Sequence, residues 1–249
     1  MADVAKEVKD ADTGPAAVRS DFIKRIFAVA ISVGFAATLS NMRWISLGQW
    51  PSDAEIEQIM RLLVAFMATV LSWEGYFVAL DQRPLNGLPR FIIDVTLVFL
   101  YMIFLITTNN QIAFMPILSM IFGLYFIWDV LTIREHLWHY DKSVVKSASH
   151  NIGYGNVVEI YILAAKGRAG ISRGPLITFV WAIYIVLLLV MSLAAETTRQ
   201  SVLVTCFGAF LGLTLYRVDK QYKFGMNLRL LAAAGSLSYT WLLYQMPGG

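Results

Sequence analysis

From Pro175 to Ala195 the chain runs through 21 residues without one charged side chain. An α-helix rises 1.5 Å per residue, so this stretch alone is about 30 Å long, the thickness of a bilayer's hydrocarbon core. Pro175 stands at its first turn, where a missing N–H is harmless. Six further stretches have the same character: 26–47, 59–80, 91–108, 113–133, 201–216 and 230–246. The last two are short for a spanning helix. Hydrophobic residues make up 57% of the chain and charged residues 15%, against roughly 45–50% and 25% in soluble domains. A water-soluble fold of 249 residues could not hide that much apolar surface. The expected fold class is therefore all-α: a polytopic integral membrane protein with a bundle of about seven transmembrane helices. Residues 22–249 would form one transmembrane domain, behind a mobile tail, 1–21, that mixes acids and bases.

The tail has no apolar h-region of its own, so the first span is expected to act as its own insertion signal. Orientation follows from Lys and Arg, which stay on the cytoplasmic side. With the N-terminus inside, 17 of the 20 basic residues fall in cytoplasmic segments, leaving only Arg43, Arg61 and Arg199 outside. That split predicts N-in, C-out, and a plasma (inner) membrane location. The one long connection, 134–174, is then cytoplasmic. Within it Val157, Val158, Tyr161 and Ile162 make an apolar stripe, predicting an amphipathic helix at the inner surface. Arg217, Lys220 and Lys223 follow the sixth span as an inner anchor that would attract anionic lipid.

Three acids fall inside predicted spans: Glu74, Asp94 and Asp129. A bare charge at mid-membrane costs at least about 2.5 kcal/mol, so such residues face the bundle interior and take partners. From the helical rise, Glu74 lies about 9 Å from the inner end of its helix, Asp129 about 6 Å and Asp94 about 5 Å. All three reach the same inner third. Arg90, one turn before Asp94, and Arg25, at the inner end of the first span, are the expected counter-charges. Tyr76, Thr96, Tyr101 and Tyr125 would add hydroxyls to the same region. A charge network that only ties helices together explains the acids equally simply.

Other chemistry has thinner support. His136 and His139 share a helical face near Asp129, Glu135 and Asp141, a weak metal-site pattern. The single cysteine, Cys206, excludes a thiolate-clamped zinc site within the chain. No span carries a lysine for a retinal Schiff base or a row of gating arginines, and no phosphate loop or nucleophile elbow is present. No cofactor and no nucleic-acid partner are expected. Gly208 and Gly212 form a small-xxx-small seam suited to close helix packing, within the chain or in a homo-oligomer. The leading expectation is permeation or transport of a small cation or proton through the acidic site. The alternatives are a non-catalytic membrane subunit that docks a partner protein on its basic cytoplasmic face, and an intramembrane metal-dependent enzyme. Transport requires a cavity that reaches the acids. Docking requires acids fully paired with Arg25 and Arg90 and no cavity.

Overall fold

The computed structural model describes residues 15–42, 45, 47–48, 50–82, 87–139, 174–195 and 198–246. Every regular element among them is helical: α1 Pro15–Ser40, α2 Asp53–Gln82, α3 Leu88–Ile106, α4 Gln111–His139, α5 Gly174–Ala194, α6 Arg199–Tyr222 and α7 Met226–Gln245. Five of these, α1, α3, α4, α5 and α6, contain stretches long and apolar enough to cross a membrane. The chain is a helical membrane protein.

Most of the helices are longer than the apolar runs that announce them, although α1 stops at Ser40, short of the expected end at 47, and α5 matches its run in length. Residues 15–21 belong to α1 and not to a tail, because Pro15 opens the helix where its fixed φ suits the first turn. α2 reaches back to Asp53, whose carboxylate and that of Glu55 sit in the first turn, where the helix dipole favours negative charge. α6 has 24 residues instead of the expected 16, and at 1.5 Å per residue it is about 36 Å long. A capping box between Thr198 and Ser201 starts it, and Lys223, in the left-handed region at φ 53°, ends it. The basic row therefore stands largely on the helix and not after it. The segment 157–162, His150 and residues 1–14 lie outside the described residues.

α1 packs on α3, α3 on α4, α4 on α5, and α5 on α6 and α7, while α2 crosses to lie along α6. A 3₁₀ turn, Thr107–Asn109, joins α3 to α4, and the Asn110 side chain caps α4 by accepting from the Ile112 and Ala113 amides. Arg61 of α2 donates to the Thr108 carbonyl at 2.5 Å, and Thr38 of α1 donates to the Leu105 carbonyl at 2.8 Å. Both bonds pin the α3–α4 hairpin to its neighbours. α5, α6 and α7 pack closely at two glycines. Tyr184 donates to the Gly208 carbonyl at 2.8 Å, and its ring covers Gly212 so tightly that a Cβ there would clash with the ring carbons. A Cβ at Gly208 would meet Thr240 of α7 at 2.9 Å and Leu188 of α5 at 3.0 Å. The glycine seam is thus filled from within the chain.

Candidate functional site

Arg217, Lys220 and Lys223 recur every three residues at the end of α6, and together they line a cavity of about 220 Å³. α2, α3, α4 and α5 supply the remaining walls, through Ser72, Tyr101, Asp129 and Ile177 among others. Water can enter a space of this size, since one molecule needs roughly 10–15 Å³. Four tyrosines, Tyr76, Tyr101, Tyr125 and Tyr216, line it. The Tyr101 and Ser72 hydroxyls are hydrogen-bonded, with Tyr125 beside both. The Thr96 hydroxyl is elsewhere, turned back to the Ile92 carbonyl.

The three sequence-identified acids end in three different settings. Asp129 lies on the cavity wall, where one oxygen accepts from the Lys220 ammonium at 2.8 Å and from the Thr178 hydroxyl. Lys220 also donates to the Gly174 carbonyl at 3.3 Å and lies 5.6 Å from the centre of the Tyr216 ring. Glu74 points out of the bundle, its side chain 64% exposed, and pairs with Arg217 at 2.7 Å. Gly75 makes that pair possible: a Cβ there would lie 2.8 Å from an Arg217 guanidinium nitrogen. Asp94 is buried beside α3's own Arg90, also buried. The Arg90 guanidinium stacks 4.6 Å over the Trp128 ring, and Tyr76 lies in the field of both charges. Trp128 and Tyr76 line the cavity, whereas Asp94 and Arg90 do not.

This geometry corrects one expected counter-charge, Arg25. Arg25 pairs with Asp21, one turn earlier on α1, at 2.9 Å. The bases that meet Glu74 and Asp129 come from α6, because α6 continues as helix through the level at which α2 and α4 carry their acids. Arg90 lies one turn before Asp94 on α3, with its guanidinium over the Trp128 ring. His136 and His139 are in α4, but their side chains lie outside the described residues, as does the loop beyond them. Among the described residues no group of three or more His, Cys, Asp and Glu side chains gathers to hold a metal ion.

One further constellation was not expected. Asp219, fully buried, accepts from Arg229 through Nε at 2.5 Å and through a terminal nitrogen at 3.1 Å. It also accepts from the Trp181 indole at 3.0 Å and the Phe224 amide at 2.9 Å. A bidentate Arg–carboxylate pair with these added bonds leaves no lone pair idle. The cluster fixes the α6–α7 turn against α5 and so holds the neighbouring Lys220 and Lys223 in place. Its sequence signal was an Asp–Arg pair flanking Phe224-Gly225.

Comparison of the chain with protein-family models, with curated proteins and with solved structures finds no match.

Proposed function

We propose that this protein moves protons across the membrane through the tyrosine-lined cavity, with Asp129 the carboxylate that takes up and releases them. The observation that carries this reading is the Asp129–Lys220 pair, which faces open space at the cavity wall. Protonation of Asp129 would remove the attraction that holds the Lys220 ammonium; the Tyr216 and Tyr101 hydroxyls supply donors and acceptors along the wall, and the buried Thr178 hydroxyl donates to Asp129. A bare metal cation fits less well, since three bases and one acid line the space. The basic-residue asymmetry supports seven spans with the N-terminus inside, in a plasma or inner membrane, so the cavity would open toward the cytoplasm.

The test uses proteoliposomes carrying the full chain, with an imposed pH gradient in one series and an imposed sodium or potassium gradient in another. Dissipation of the pH gradient by the wild type, lost in Asp129→Asn, supports the reading. Dissipation of the metal-ion gradient alone, or proton flux that Asp129→Asn leaves intact, would overturn it.

A further inference from the structure

The cavity's chemistry is graded along its length. α2, α4 and α6 run in the same direction, and on each the lining residues pass from apolar to polar: Ala68 to Tyr76, Leu118 to Asp129, Leu213 to Lys220. On α4 that passage covers 11 residues, about 16 Å. Ala68, Leu118 and Leu213 make the apolar end, Tyr125 and Tyr216 follow on α4 and α6, and Arg217, Lys220 and Lys223 stand at the polar end. Charge at the polar end is unbalanced. Asp129 offsets Lys220, and Glu74 meets Arg217 from outside the cavity, while Lys223 is exposed and has no acidic partner among the described residues. A proton path needs neither the third base nor the apolar end.

We propose that the cavity binds a small amphiphilic anion, with a phosphate or carboxylate head at Lys223 and Arg217 and an apolar or aromatic body against Leu118 and Leu213. The inference rests on the transport reading only in sharing its cavity, and it names what accompanies the proton there. A guanidinium and ammonium groups are the usual partners of such heads, and tyrosine faces accept flat or apolar bodies. The volume of about 220 Å³ is below the roughly 300–1,000 Å³ of pockets that enclose drug-sized ligands, so the occupant is small or enters with one end only. A soluble organic anion and the head of an anionic lipid share this chemistry.

The experiment is equilibrium binding of phenyl phosphate to the full chain in phosphatidylcholine nanodiscs, corrected for empty discs. Saturable binding is expected, weakened roughly tenfold by Lys223→Gln, which leaves both ion pairs in place. Inorganic phosphate should bind more weakly, for want of a body to fill the apolar end. Competition by phosphatidylglycerol in the discs assigns the site to a lipid head, and its absence to a soluble anion; either result keeps the amphiphilic anion. No saturable binding, binding indifferent to Lys223→Gln, or inorganic phosphate binding as tightly as phenyl phosphate would overturn the proposal. The assay uses no gradient. Failed binding with intact proton flux rejects the ligand alone, and intact binding without flux rejects the transport reading alone.

Discussion

Asp219 and Lys220 are neighbours on α6, yet the ion pairs they make differ in kind. Asp219–Arg229 is sealed, with side-chain exposures of 0% and 1%, and its carboxylate receives four donors. Lys220–Asp129 is partly open, at 21% and 12%, and borders empty space. A sealed and saturated pair has no alternative partners, so it holds one geometry. A pair at a cavity wall can trade its partner for water or a ligand. The first fixes the helix end, and the second is free to respond.

Breaking the sealed pair should cost most. Arg229→Met leaves the Asp219 charge buried and uncompensated, with an expected loss of about 3–5 kcal/mol. Thermal unfolding in detergent, together with the yield of folded protein, reads it. A midpoint equal to the wild type's would remove the sealed cluster from the account.

The two glycine contacts on either side of α6 sharpen the same contrast. Gly212→Ala drives a methyl into the buried Tyr184 ring, and overpacking of that sort costs about 1–3 kcal/mol. Gly75→Ala meets only the end of the Arg217 side chain, which can swing aside, so stability should change by less than about 1 kcal/mol. Comparable losses in both variants would mean that the cavity side is packed as rigidly as the seam.

Glu74→Gln should have the smallest effect on the fold, about 0.2–1 kcal/mol, because its carboxylate faces out of the bundle. Proton flux should largely survive, since Glu74 is not on the cavity wall. Flux lost to Glu74→Gln while Asp129→Asn retains it would exchange the roles of the two acids.

The membrane class was legible because spanning helices advertise themselves by composition and length, as Pro175 to Ala195 does. That Glu74 and Asp129 stand at nearly the same level along their helices was legible too, since rise per residue fixes position along a helix, and both meet α6 within one turn. Their partners were not. Apolar content ends α6 at residue 216, but its backbone continues as helix to Tyr222, and charged side chains survive there because acids on α2 and α4 meet them. Sequence distance hides such pairings: Lys220 and Asp129 are 91 residues apart. Asp219 is hidden differently: its partner Arg229 is only 10 residues away, but Asp219 lies just beyond the apolar run 201–216, where an acid looks like an ordinary loop charge.

The difference between the two pairs is tested most directly by comparing Asp129→Asn with Asp219→Asn, measuring proton flux per folded molecule and thermal midpoint on the same reconstituted samples. Asp129→Asn should lose flux by roughly tenfold or more while unfolding within a few degrees of the wild type. Asp219→Asn should unfold markedly earlier, with the molecules that remain folded still conducting. Wild-type flux per folded molecule in Asp129→Asn, with its stability lowered as far as that of Asp219→Asn, would contradict the account and make both pairs structural.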